Sequence, residues 1–517
     1  MAHPPHANKS NQTIQQLYRE AEEAWGRQDY QKSIGLIEQA TRKEPLNPSL
    51  LLDLARAHGR RYDFPSAEKY LERAVQISKD RAHTLGEAGQ VCLQFDNIDM
   101  ALTFLERASQ KKGASIRTLT TLADIYNRDR RVEEAAEMVA RAAQLDRKDP
   151  HVLFENALVR RLRGNQSEAE SLFRELVAVP KIPAEVRVRG NYELADILDA
   201  EGRYDEAMAA LLEAKAILRP HAGPYAAILQ HMQGRAKEME QTITTAVLDR
   251  WRADAAKLHP LRRIALLCGH PRSGTTLLEQ VLDAHSDVTS AEETKMMHDD
   301  AYLTLIRDFP EGTSILQALD SVPTSVICDA RENYFRCLEL FLRRKIGTRL
   351  LVDKNPSLNL MIPIVVRVFP ETKFLVALRD PRDVVISCFK QALPLTPISS
   401  AYLSLEGAVK QYVNVIGFWL EMLPRMGNQW MYVRYEKMVE DLPAVARSVL
   451  DFLGVGFEED VLRFYEHAQS KRVLSPSRSD VKKPLYQTAV GRWRNYEKYL
   501  EPYLGELNHY LKSFDYR

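Results

Sequence analysis

Residues 268–278 read Cys-Gly-His-Pro-Arg-Ser-Gly-Thr-Thr-Leu-Leu. The stretch follows an apolar run, 264–267, that reads as a buried strand, and it leads into Leu277, Leu278, Val281 and Leu282, an apolar stripe at helical spacing. Strand, glycine-containing turn and helix gather several backbone N–H groups and a helix N-terminus around one anion. A loop that grips the β- and γ-phosphates of ATP with glycines at the separation of Gly269 and Gly274 needs a lysine after the second glycine. Thr275 stands there instead, and Arg272 brings positive charge from inside the loop. The chemistry indicated is recognition of a phosphate-like anion that is not part of a nucleoside triphosphate.

A second cationic feature is Leu378-Arg-Asp-Pro-Arg-Asp-Val-Val-Ile-Ser387. Arg379 leaves the end of an apolar run while Ser387 falls on the first turns of the following helix, so both can reach one phosphate, the guanidinium with a charge-assisted bond. The alternative for Arg379 is a salt bridge to Asp380 or Asp383. Arg382 either shares the phosphate or faces solvent.

Elements able to position these groups are visible as four short apolar runs, 263–268, 349–353, 373–378 and 431–435. Amphipathic helical stretches separate them, which predicts an α/β domain with a mostly parallel sheet covered by helices on both faces. Ligands collect at the carboxyl ends of such strands, and each run has polar residues just beyond its end.

The front half has a different pattern. Ser33, Ala67, Ala101, Ala135 and Ala169 are each 34 residues apart. Twelve positions earlier stand Ala21, Ala55, Gly89, Ala123 and Ala157, and seven positions later Ala40, Ala74, Ala108, Ala142 and Leu176. A sixth unit, displaced by four residues, keeps the offsets with Ala195, Ala207 and Ala214. Small residues at these places let paired helices approach closely. This period resembles the tetratricopeptide repeat, an all-α solenoid. Such arrays bind peptides or proteins, or act as dimerisation and spacer elements. The expected organisation is a disordered start at 1–10, a repeat array at 11–217, a helical junction at 218–260 and the α/β domain at 261–517.

The 517 residues exceed one ordinary core, and 45% hydrophobic with 27% charged residues is the composition of a soluble globular chain. A formal net charge of +1 gives no bulk attraction to nucleic acid. No apolar stretch approaches the roughly 20 residues needed to span a bilayer, and the first ten residues lack a signal-like apolar core. Five widely spaced cysteines without a CxxC pair fit reduced thiols. A cytoplasmic setting is expected.

The loop Pro271-Arg-Ser-Gly-Thr-Thr-Leu277 resembles the 5′-phosphosulfate loop of sulfotransferases, above all that of the protein-tyrosine sulfotransferases. The likeness continues through Leu282-Asp-Ala-His285 to Glu292-Glu-Thr-Lys295, and covers about the C-terminal half of the chain. It implies 3′-phosphoadenosine 5′-phosphosulfate as co-substrate, adenosine 3′,5′-bisphosphate as product, and no metal. It further implies that Ser273, Gly274, Thr275, Thr276 and Leu277 hold the 5′-phosphosulfate, with Arg272 stabilising the leaving oxygen. Arg379 and Ser387 match the family's 3′-phosphate motif. Glu293 matches the catalytic base, with Glu292 its neighbouring rival and a solvated helix start the plain alternative. Lys354, in Asp353-Lys-Asn-Pro356, resembles the lysine that faces the transferring group; otherwise it is a solvated loop lysine. Tyr435 resembles the tyrosine near the adenosine, or is a core residue. His285 reads as structural.

Residues 486–493 are similar to the family's closing segment, but Tyr486, Gln487 and Thr488 stand where cytosolic members carry Arg-Lys-Gly. Arg492 is the replacement charge, and Lys482 and Lys483 are placed to close over the site. The implied function is transfer of a sulfuryl group to an acceptor hydroxyl, favoured as a tyrosine of a peptide or protein bound through the repeats, with small alcohols, lipids and glycans open. A P-loop nucleotide kinase or ATPase, and a non-catalytic repeat scaffold, are the competing classes.

Overall fold

The computed structural model describes residues 13–79, 81–310, 312–470, 481–483, 485 and 489–516. Residues 1–10, read from the sequence as a disordered start, and Tyr486, Gln487 and Thr488 lie outside the described residues. The chain divides into two compact units, 1–197 and 198–517.

Helices in the first unit come in pairs. They are α1 (Ile14–Gly26) and α2 (Tyr30–Lys43), α3 (Pro48–Gly59) and α4 (Phe64–Ile77), α5 (Ala82–Leu93) and α6 (Ile98–Ser109), α7 (Ile116–Arg128) and α8 (Val132–Leu145), α9 (Pro150–Leu162) and α10 (Gln166–Ala178). Short polar side chains cap many of them: Thr13 in a capping box, and Asp29, Asn47, Asp63, Asn97, Ser115 and Asp149 by accepting from the first-turn amides. The 34-residue set of small residues is buried throughout, where adjacent helices cross. Ser33 satisfies its hydroxyl there by donating to the Ala21 carbonyl at 2.8 Å. A sixth pair follows, α11 (Ala184–Ala200) and α12 (Tyr204–Leu218). The boundary between the units falls inside α11, so the sequence-read array and the compact units are divided at different residues.

In the second unit α13 (Gly223–Thr242) and α14 (Thr245–Ala253) form the helical segment read as a junction, and they precede a five-stranded sheet. Its strands are β1 (Ile264–Gly269), β2 (Val288–Glu292), β3 (Leu350–Lys354), β4 (Lys373–Leu378) and β5 (Trp430–Arg434), in the order β2-β3-β1-β4-β5 with every neighbouring pair parallel. The expected runs are all strands. β2 is an additional one: Val-Thr-Ser-Ala-Glu has no apolar run, because it lies at an edge of the sheet.

On one face α15 (Thr275–Asp283) lays Leu277, Leu278, Val281 and Leu282 against Ala265, Leu267, Val352 and Leu375. Further helices bear on the site: α16 (Thr324–Leu342), α17 (Pro381–Lys390), α18 (Leu405–Met422) and α19 (Leu504–Ser513). No described helix is long and apolar enough to cross a membrane. All five cysteines are free.

Gly269 ends β1 opposite Ala377 of β4, at φ 120°. A β-carbon there would lie 2.3 Å from the Ala377 carbonyl oxygen and 3.0 Å from its nitrogen, and neither backbone can retreat within a central strand pair. Gly269→Ala is expected to destabilise by on the order of 2–4 kcal/mol through strain and overpacking. Thermal unfolding of the full chain checks this; an unchanged midpoint refutes the steric argument.

Candidate active site

All five strand ends contribute to one region. After β1 the chain turns through 270–274, with Arg272 at φ 70° and Gly274 at φ 93°, and then enters α15. The N-cap of this helix is Gly274, which has no side chain to cap the first turn. A β-carbon on Gly274 would fall 2.7 Å from the ring of Tyr435, the residue that follows β5. The cradle therefore closes only around a glycine.

Asn359 fixes the base of the loop. Its carbonyl oxygen accepts from the Gly269 amide and the Trp419 indole, both at 2.9 Å, while its amide donates to the Gly269 carbonyl at 2.8 Å. Behind the loop His270 is fully buried against Tyr402 and Tyr412, and burial holds its imidazole down at about 4. Burial likewise pushes the neighbouring Cys388 thiol up to about 12.

A cavity of about 330 Å³ opens over this loop, within the range of small-ligand sites. Arg272, Gly274, Thr275, Thr276, Leu277, Glu293, Arg379 and Tyr435 line it, as does Lys483. Ser273, Lys354, Ser387 and Arg492 are not among its lining residues. Ser273 is buried within the loop. Ser387 accepts from Arg272 Nε at 3.0 Å and so aims that guanidinium. Arg379 donates through Nη1 to the Arg272 carbonyl at 3.2 Å and through Nη2 to the Ala489 carbonyl, and its guanidinium carbon lies 4.8 Å from the centre of the Tyr435 ring. It also lies 3.6 Å from Asp383, the salt-bridge partner that the sequence offered, while bordering the cavity. Arg382 neither faces solvent nor borders the cavity; it pairs with Asp380 and stacks on Trp493 at 3.9 Å.

The acidic pair is not a helix start. Glu292 ends β2 in register with Lys354 of β3, and the Glu293 amide donates to the Lys354 carbonyl at 2.8 Å. Lys354 has 0% of its side chain exposed, which contradicts the solvated-loop reading, and it does not line the cavity. Its ammonium instead meets Glu293 at 2.6 Å, Glu292 at 3.2 Å and Glu279 of α15 at 3.7 Å. Burial opposes the charge on Lys354, but the carboxylates of Glu279, Glu292 and Glu293 together outweigh it and hold the ammonium's pKa above its ordinary value. Of the two glutamates, Glu293 borders the cavity. Asn355 anchors the segment by donating to the Thr294 carbonyl at 2.6 Å.

His285 is structural, as read. Its Nδ1 accepts from the Asp287 amide at 3.0 Å, leaving Nε2 to donate to the Gly456 carbonyl at 2.7 Å. Arg492 does not reach the cavity because Asp199 holds its guanidinium. Glu279, Asn359 and Asp199 were not singled out from sequence, because each acts on residues far along the chain; Asp383 was named only as a partner of Arg379, and its bonds to the Gly491 and Trp493 amides are likewise distant in sequence.

Comparison with known proteins finds relatives of this chain. An uncharacterised protein from Aquifex aeolicus is 22% identical over 459 residues, covering 87% of this chain and 58% of its own length. The protein-tyrosine sulfotransferase of Drosophila melanogaster is 27% identical over 231 residues, 44% of this chain and 46% of its own. This chain thus spans about half the length of these two relatives. A solved sulfotransferase domain from the olefin synthase of Synechococcus PCC 7002 has a TM-score of 0.34 and 22% identity, covering 46% of this chain and 89% of that domain. Residues 18–82 and 188–217 match tetratricopeptide-repeat models, and residues 265–459 match the sulfotransferase family model. The chain therefore joins N-terminal tetratricopeptide repeats to a C-terminal domain of the sulfotransferase family.

Proposed function

We propose that the C-terminal domain transfers a sulfuryl group from 3′-phosphoadenosine 5′-phosphosulfate to an acceptor hydroxyl, favoured as the tyrosine of a peptide or protein recruited by the repeats. The observation that carries this reading is the convergence of Arg272, Arg379 and Glu293 on one cavity over a lysine-free loop. Two guanidinium groups, a helix N-terminus and a cavity of nucleotide size fit a donor with phosphate at both ends. When bound, the donor supplies an activated sulfuryl group. Loop amides of 274–277 orient it, Arg272 offsets charge on the departing phosphate oxygen, and Glu293 takes the proton released by the acceptor oxygen as its bond to sulfur forms. Ser387 serves by orienting Arg272, and Lys354 by holding the Glu293 carboxylate in place. The tyrosine acceptor is supported by the loop and Glu-Glu-Thr resemblance and by the name of the Drosophila relative.

Transfer of labelled sulfate from the donor to a panel of tyrosine peptides and small alcohols tests the reading. Label on no acceptor, with no binding of adenosine 3′,5′-bisphosphate, refutes it. Arg379→Ala is expected to weaken that bisphosphate at least tenfold while changing the affinity for adenosine 5′-phosphate far less, since a charge-assisted bond to the 3′-phosphate is lost. Calorimetry with both nucleotides checks this, and equal losses contradict the assignment.

A further inference from the structure

Asp199, near the end of α11, is 9% exposed and receives donors from two distant parts of the second unit. Lys390 Nζ approaches it at 2.5 Å, Tyr496 Oη donates to it at 2.6 Å, and Arg492 Nη2 donates to its other oxygen. Burial works against its charge, but Lys390 above all, with Tyr496 and Arg492, overcomes this and holds the carboxyl below its usual range.

Two of these donors, Lys390 and Arg492, lead back to the cavity. Lys390 lies on α17 three residues after Ser387, which orients Arg272. Arg492 lies on the turn whose Ala489 carbonyl accepts from Arg379. Asp383 clamps the same turn, accepting from the Gly491 amide at 2.7 Å and the Trp493 amide at 2.8 Å. Since Arg379 donates to the Arg272 carbonyl, the links close into a ring from Asp199 through Lys390, Ser387, Arg272, Arg379, Ala489 and Arg492 back to Asp199. The Asp199 carboxylate thus ties the α17 side to the C-terminal turn a second time, at the Lys390 end of the helix, beside the clamp made by Asp383.

We propose that Asp199 is a positioning residue for the nucleotide site: by joining Lys390 to Arg492 and Tyr496 it fixes the directions of Arg272 and Arg379 without touching the ligand. This rests on the sulfotransferase reading for the identity of the ligand, but not for the ring itself. Asp199→Asn keeps the size and one acceptor while removing the charge that binds two cations.

The test uses the full-length chain and has two arms. Hydrogen–deuterium exchange without nucleotide is expected to quicken at 379–390 and 489–496 in Asp199→Asn, leaving β1 and β3 unchanged. Calorimetry is expected to show about tenfold weaker adenosine 3′,5′-bisphosphate and a smaller preference for it over adenosine 5′-phosphate, the scale of losing a charged hydrogen-bond partner. A general loss of stability would weaken both nucleotides alike and leave that preference intact. Lys390→Met, which breaks the ring at another link outside the cavity lining, is expected to lower the same preference and serves if Asp199→Asn folds poorly. Unchanged exchange at both segments overturns the proposal, as does an unchanged preference in both variants. Failure of the unmodified chain to bind the bisphosphate refutes the sulfotransferase reading, while the exchange arm still decides the ring.

Discussion

Glu293→Gln is expected to lower sulfuryl transfer by roughly 10²–10⁴-fold, the range for removal of a positioned general base, while leaving the affinity for adenosine 3′,5′-bisphosphate within about twofold. The separation follows from the site. Glu293 borders the cavity but is tethered to Lys354 on the β2–β3 side, whereas Arg272 and Arg379 are tethered to Ser387 and Ala489 on the β4 side. Glutamine keeps the shape and can still accept from Lys354, so the defect reports the missing proton acceptor and not a rearranged pocket. Measured as initial rates of sulfate incorporation beside calorimetric binding, full activity in the variant removes Glu293 as the base. Equal activity loss in Glu292→Gln and Glu293→Gln would instead assign the function to the pair.

The glycine-containing loop after β1 and the repeats were legible because their information is local. The loop's glycines, arginine and helical stripe lie within fifteen residues, and the small-residue triplets recur on a fixed period that helix crossing demands. Strand-end residues such as Arg379 and Tyr435 were legible for a related reason: a parallel sheet collects whatever follows its strands on one edge. The setting of Lys354 was not. It depends on β2, an edge strand whose Thr and Ser hide it from an apolar-run reading, and on the register that sets Glu292 beside Lys354. Once β2 is missed, a buried lysine among three carboxylates cannot be told from a loop lysine. Arg492 shows the same limit at longer range, since its partner Asp199 is 293 residues earlier and only folding brings the two together.

Lys354→Met is expected to destabilise the domain strongly. It leaves Glu279, Glu292 and Glu293 converging without the cation between them, and Glu279 is 1% exposed. Breaking a buried charge cluster from one side costs about 3–5 kcal/mol, a large share of a stability of roughly 5–15 kcal/mol. The sign of the pH response separates this cause from simple loss of packing. Protonating any one of the three carboxylates relieves their repulsion in the folded state, so the folded variant takes up protons more readily than the unfolded chain and its deficit narrows as pH falls. A packing defect would stay constant. Glu279→Gln placed on Lys354→Met should recover part of the loss, whereas alone, where Lys354 still balances Glu292 and Glu293, it should cost far less. That non-additivity is the signature of charges sharing one partner. Thermal midpoints of the four chains across pH 5–8 decide it: additive effects, or a pH-independent deficit in Lys354→Met, would show that the lysine is held by packing and not by the carboxylates around it.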